Sequence, residues 1–238
     1  MQIPRKPRDL NYHSQAWPRV ASALYLLSTT GISARFELQA MLARQFGISS
    51  RSGSLRRIFE GRLVDDFLIR EETLPTFGRH RLTVVRLTKE GRALCHSFGW
   101  EVVESDWDRL LRLHSADSQP RHTGAVLTFV HHARLRGWKT EVLPQVGNPV
   151  FFPDVLVEKD GQKLYVEVEL GTRKASKWHN MQAFQGLVAL CARTPESRKS
   201  LIAECRQEET RGLATDLTTL YRQSKNSDIG PLWAEEWS

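Results

Sequence analysis

The chain has 238 residues, of which 40% are apolar and 26% charged, and it carries a formal charge of +7. That length leaves room for one large domain or two modest ones, at about 100–200 residues per domain, and the composition excludes collagen-like, disordered and disulfide-scaffold classes. Apolar stretches such as residues 20–27 fall short of the roughly 18–20 residues that a membrane span needs. Residues 1–8 lack the apolar core of a signal peptide, so a cytoplasmic protein with no membrane role is expected. Cys95, Cys191 and Cys205 are odd in number and contain no Cys-x-x-Cys. They read as small buried hydrophobes.

Arginine supplies 25 of the 34 cations, and its planar fork suits bidentate phosphate recognition. The excess lies toward the N-terminus, where residues 1–98 hold 16 basic and 8 acidic side chains, against 16 and 14 in residues 119–238. A polyanionic partner, double-stranded DNA, is the expectation. The bland alternative is that a pI near 9.6 serves solubility.

In chain order, residues 17–27 have helical apolar spacing, and Thr29, Thr30 and Gly31 break it. Ser33 is then expected to cap a second helix reaching Arg44, with Phe36, Leu38, Met41 and Leu42 on its apolar face. After a turn at residues 46–50, Ser52 or Ser54 can cap a third helix, residues 55–60, with Arg51, Arg56 and Arg57 on its solvent side. Residues 63–71 and 81–87 are β-rich and read as a hairpin with a long basic tip at residues 73–80, and Thr88 caps a further helix over residues 89–97.

Three helices followed by a hairpin, with the segment Ser-Gly-Ser-Leu-Arg-Arg-Ile-Phe-Glu-Gly-Arg-Leu-Val at residues 52–64, resemble the winged helix-turn-helix DNA-binding family. The resemblance implies that Arg51, Ser52, Ser54, Arg56 and Arg57 sit at a major groove, and that Arg79, His80 and Arg81 on the wing reach phosphates or the minor groove. The alternative is a solvated arginine face and a wing used for packing. An acidic helix around residues 105–114 and a polar stretch ending at Pro120 place the boundaries at 1–98, 99–119 and 120–238.

The second half starts with a helix over residues 120–136, ended by Gly137, and a short strand over residues 139–144. Residues 150–159 and 162–170 are β-rich and joined by Asp160-Gly161, a strong two-residue hairpin signal. With those two as the loop, Glu158 faces Lys163, Val155 faces Val166, and Asp154 faces Glu167. Directly opposed carboxylates require neutralisation, and alternation adds Glu169 to the same face. Three converging carboxylates make an oxygen-rich site suited to Mg²⁺ or Mn²⁺. The competing reading pairs them with Arg173, Lys174 and Lys177. Thr172 can cap a helix to about Gln185, followed by a strand over residues 186–192 and a helix over residues 195–206.

The order helix, three strands, helix, strand, with Pro153-Asp154 and then Glu167-Val168-Glu169, resembles the PD-(D/E)xK nuclease superfamily. The resemblance implies a restriction-endonuclease-like αβββαβ core in which Asp154, Glu167 and the Val168 carbonyl hold the metal. Glu169 stands where the family has lysine, and Lys174 or Lys177 would supply the missing cation. The whole layout, with His122-Thr123, the run Tyr-Val-Glu-Val-Glu-Leu-Gly-Thr at residues 165–172 and Lys177-Trp178, resembles the replication-relaxation family of plasmid and mobile-element proteins. The expectation is therefore a two-domain α+β or α/β protein of mobile-element DNA processing, a Mg²⁺-dependent DNA endonuclease, with a relaxase or other mobile-element protein, or a second copy, as partner. The alternative is a non-catalytic DNA-binding accessory factor or repressor.

Among the remaining features, adjacent His131 and His132 point about 100° apart on a helix and read as packing or surface residues. His122 and His179 lie beside the expected site and read as structural hydrogen-bonders first, with phosphate contact or proton donation as the sharper alternative. Trp138, Trp178, Trp233 and Trp237 read as core anchors. No Walker A loop, dinucleotide-binding glycine motif, nucleophile elbow or His-Glu-x-x-His occurs, and residues 224–238 carry no readable signal.

Overall fold

The computed structural model describes residues 1–114, 119–147, 152–171, 175–225 and 229–238. They form a mixed α and β structure with two sheets. The chain divides into two compact units, one made of Met1–Thr73 and Leu82–Arg109, the other of Leu74–Arg81 and Leu110–Ser238.

In the first unit, α1 (Trp17–Thr30), α2 (Arg35–Phe46) and α3 (Gly53–Ile58) enclose a core that includes Val20, Leu24, Leu38, Leu42, Leu55 and Phe59. Gly31 ends α1 at φ 69°, in the left-handed region where a side chain would be strained. The expected cap at Ser33 is not made. Its Oγ accepts from the Trp107 amide at 2.9 Å and its carbonyl from the Val85 amide at 2.8 Å. Instead α2 begins after Ala34 with no side-chain cap. Ser52 does cap α3, accepting from the Ser54 amide at 3.2 Å.

A π-helical turn, Phe59–Leu63, prolongs α3, so β1 (Ile69–Pro75) starts six residues later than the sequence pattern suggests. Leu63 and Leu68 are tied by a backbone hydrogen bond of 2.9 Å that closes the connecting turn. β1 pairs with β2 (Arg81–Leu87) in the two-stranded sheet. Thr88 caps α4 (Lys89–Ser97), as expected, at 3.0 Å from the Gly91 amide. Ser105 caps α5 (Asp106–His114) through the Asp108 amide at 3.1 Å.

The tip of the hairpin packs within the second unit. Leu74, Thr76 and Phe77 are buried, and Phe77 meets the Tyr221 ring edge-on at 6.0 Å between centroids. Gly124, in α6 (Pro120–Leu135), sits so close that a Cβ there would lie 2.3 Å from the Pro75 carbonyl oxygen. Only glycine admits that approach.

The sheet of the second unit runs β3-β4-β5-β6-β7-β8. Its strands are β3 (Lys139–Val142), β4 (Val155–Lys159), β5 (Gln162–Glu169), β6 (Val188–Ala192), β7 (Gly212–Asp216) and β8 (Glu235–Trp237). The expected register holds, with Val155 opposite Val166 and Glu158 opposite Lys163. Asp160 and Gly161 take φ of 51° and 80°, the left-handed pair of a type I′ turn. β5, β6 and β7 are parallel, and β3, β4 and β8 run antiparallel to their neighbours.

Parallel strands are covered on both faces, which explains why β6 is buried at every position. Helices α6, α7 (Ala175–Gln185), α8 (Pro195–Gln207) and α9 (Leu217–Gln223) complete the unit. The strand expected from residue 150 begins at Val155, while Val150, Phe151 and Thr172 lie outside the described residues.

The C-terminal stretch, silent in sequence, supplies β8. The buried guanidinium of Arg136 donates to the Ile229, Gly230 and Pro231 carbonyls at 2.7–3.1 Å and secures its approach. Among the described residues no helix is long and apolar enough to cross a membrane.

Candidate functional site

Asp154 lies immediately before β4, where its carbonyl accepts from the Leu143 amide of the neighbouring segment at 2.8 Å. The hairpin register then sets its side chain beside β5. One carboxylate oxygen accepts from the Val168 amide at 2.8 Å. The other lies 2.9 Å from His122 Nε2, on the first turn of α6.

Glu167, one strand across, carries the Lys177 ammonium of α7 at 2.9 Å. The same ammonium stands 3.6 Å from Glu169 Oε2, and Glu169 Oε1 accepts from the Gly171 amide at 3.0 Å. Asp154, Glu167 and Glu169 are all buried. Four elements thus bring three acids, one lysine and one histidine together. Trp178, fully buried next to Lys177, fixes the first turn of α7.

The two opposed carboxyls are pushed apart in acidity. Burial raises Asp154, but the His122 hydrogen bond and charge, the Lys177 charge and the Val168 amide outweigh it and hold the carboxyl below its usual range. Burial and the neighbouring Asp154 charge drive Glu167 well above its usual range, despite Lys177. Burial works against charge on Lys177, and the Glu167, Asp154 and Glu169 carboxylates more than compensate, so the ammonium persists. His122 behaves alike: burial lowers it, and the bond to Asp154 lifts it above the ordinary imidazole value. Environments that separate neighbouring carboxyls in this way recur where one must act as base and the other as acid.

The three carboxyls expected to converge do lie together, each against partners of the protein's own. Among the described residues no group of three or more His, Cys, Asp or Glu is arranged to hold a metal ion. The reason is visible in the partners: Lys177 lies against Glu167 and Glu169, while His122 and the Val168 amide take both Asp154 oxygens. The Val168 N–H is engaged with Asp154.

The donor set nonetheless fits a hard divalent ion. It offers two buried carboxylates, Asp154 and Glu167, with an ammonium as a stand-in cation, and Mg²⁺ needs only one or two carboxylates alongside waters and substrate phosphate. Lys177 supplies the cation expected from the following helix, whereas Arg173 and Lys174 lie outside the described residues. The unassigned member is His122. The sequence placed it beside the site, at the start of the helix and in the His122-Thr123 pair, but gave no sign of its bond to Asp154. His179 points elsewhere, to Glu208 at 2.6 Å.

The residues expected to read DNA divide into four situations. Arg51 and Arg57 are exposed around α3. Arg56 is held by Glu60 at 2.6 Å, and that carboxylate also takes Arg35 at 2.9 Å. The Ser52 and Ser54 hydroxyls bond each other at 2.8 Å, so their first role is to close the helix end. Arg79, His80 and Arg81 are exposed on the hairpin tip, but the His80 ring packs on Phe77 at 4.7 Å and Tyr221 at 4.2 Å. That stack gives His80 a packing role within the second unit.

His131 and His132 are buried core residues of α6, and the three cysteines are buried as expected. Comparison with family models, curated proteins and solved structures gave no match.

Proposed function

We propose that the protein binds double-stranded DNA through a winged-helix first unit and hydrolyses phosphodiester bonds at a PD-(D/E)xK-like centre in the second, in the manner expected of mobile-element DNA processing. The observation that carries this reading is the convergence of Asp154, Glu167, Lys177 and His122 from four separate elements. Solvation opposes the burial of so many charges, so a purely structural role would be served more cheaply by apolar residues.

Asp154 and Glu167 would hold Mg²⁺ or Mn²⁺, which when bound polarises a phosphate oxygen and lowers the pKa of a bound water. Asp154, kept ionised by His122, is the anchoring ligand. Glu167 is the carboxyl that retains a proton most readily and gives it up when a cation arrives. Lys177 offers a persistent positive charge to the scissile phosphate. His122, beside the same carboxylate, orients Asp154 and can release a proton to the departing oxygen. Arg51 and Arg57 give phosphate contacts that position the duplex.

The test is incubation of the protein with supercoiled and linear DNA in Mg²⁺, Mn²⁺ or chelator, beside Glu167→Gln. Metal-dependent nicking that disappears in the variant is expected. DNA retention without cleavage in every lane, with Glu167→Gln indistinguishable from the parent, would instead establish the second reading, a non-catalytic DNA-binding factor. That alternative draws on one observation, the pairing of the carboxylates with Lys177, His122 and two backbone amides of the protein itself.

A further inference from the structure

Lys177 stands where a metal would do the same electrostatic work. Its Nζ is 2.9 Å from Glu167 Oε2 and 3.6 Å from Glu169 Oε2. A divalent ion of the Mg²⁺ class bound to Glu167 would approach the carboxylate to about 2.1 Å, onto oxygen lone pairs that the ammonium now uses. Two cations cannot share that face closely, since their repulsion grows in a site shielded from water.

The lysine has somewhere to go. Its side chain keeps 31% exposure while both carboxylates keep under a tenth, and its four-carbon stem rotates without moving α7. The helix itself is pinned at the next residue, where Trp178 is fully buried and bonds Glu204 at 3.2 Å. The movable part and the fixed part are thus adjacent residues.

We propose that Lys177 is a resident counter-ion that closes the carboxylate pair in the metal-free protein and is displaced toward solvent when a divalent cation binds Asp154 and Glu167. This rests on reading the cluster as a metal-dependent centre, and it adds a defined two-state element: lysine on the carboxylates, or metal on the carboxylates and lysine turned outward to meet a substrate phosphate. Metal occupancy and presentation of the phosphate-binding charge are then one event.

The experiment uses the whole chain without DNA. Lysines are reductively methylated in chelator and in a Mn²⁺ series carried to about ten times the ~1 mM dissociation constant of the weakest oxygen-ligand sites, and the rate at each lysine is read by mass spectrometry. Lys177 is expected to react several-fold faster in Mn²⁺, with the exposed Lys163 and Lys199 unchanged. The metal effect should vanish in Glu167→Gln. A Lys177 rate that is constant or falls across the series overturns the proposal.

Lys177→Met gives a second readout. Its unfolding temperature should drop in chelator and rise with Mn²⁺ by more than that of the parent, because at a given metal concentration tighter binding stabilises the folded state more. Equal shifts in variant and parent also overturn it. Neither measurement involves cleavage, so displacement of Lys177 in a protein that never cuts DNA would sink the nuclease reading alone. Cutting with Lys177 unmoved would sink only this inference.

Discussion

The arginines around α3 and the acids of the β4–β5 hairpin are both charge clusters, and they obey opposite rules. Arg51 and Arg57 project into water, where a charge needs no partner and its loss leaves the packing intact. Asp154, Glu167 and Glu169 are almost wholly buried, and each has a specific cation or amide against it. Removing one member there strands another. Exposed charge is available for a partner, whereas buried charge is committed to a geometry, and the two clusters should answer differently to the same kind of substitution.

The largest separation is expected from Asp154→Ala. It leaves the His122 ring and the Val168 amide without their buried acceptor, and breaking such a buried pair destabilises by about 3–5 kcal/mol. Urea unfolding should show the loss directly, while Arg51→Ala combined with Arg57→Ala keeps the parent midpoint. A parent-like midpoint for Asp154→Ala would erase the distinction between the clusters.

Next in size is the acid response of α6. Burial, with His131 and Arg136 nearby, pushes His132 down to about 3. A histidine whose folded pKa is depressed withdraws stability as pH falls below its unfolded value of about 6.5, at roughly 1.4 kcal/mol per pH unit until the folded pKa is reached. His132→Leu should therefore shift the acid-unfolding midpoint to lower pH. An unchanged midpoint would mean that the imidazole is already hydrated.

On the exposed side, Arg51→Ala with Arg57→Ala should reduce the slope of log affinity for duplex DNA against log salt by about 2, close to 0.9 for each lost phosphate contact. A slope equal to the parent's removes these arginines from the interface. The smallest effect is expected from Arg56→Ala, whose guanidinium is already tied to Glu60. It should weaken DNA binding less than Arg57→Ala in the same titration, and a larger loss would show that the Glu60 pair opens on binding.

What could be read from sequence depended on how local the cause was. The Asp160-Gly161 turn sets register through two adjacent backbones, so the meeting of Asp154 and Glu167 was legible. Thr88 and Ser52 announced their helices because a cap acts within three residues. Ser33 failed as a cap because Trp107, 74 residues on, claims its hydroxyl.

The role of Lys177 depended on which way the first turn of α7 faces, which the spacing left open. His122 could be placed beside the site, but its bond to Asp154 is a side-chain event across 32 residues with no periodic signature. Strand β8 went unseen because three residues carry too little pattern. Its place is set by the Trp237 indole donating to the Thr210 carbonyl at 2.8 Å and by the Arg136 grip on residues 229–231.

The hairpin has a consequence for modularity. The chain enters the second unit at Leu74, returns to the first at Leu82 and leaves it again after Arg109, so no single cut yields both units whole. A fragment ending near residue 98 would keep Leu74 and Phe77 without the helices that cover them, and would present a greasy loop to water. The complementary fragment from residue 120 would lose the segment against which Gly124 and Tyr221 are shaped. Recombination that exchanged one half for a relative's would have to carry eight residues of the other half with it, which makes the pair inherit together.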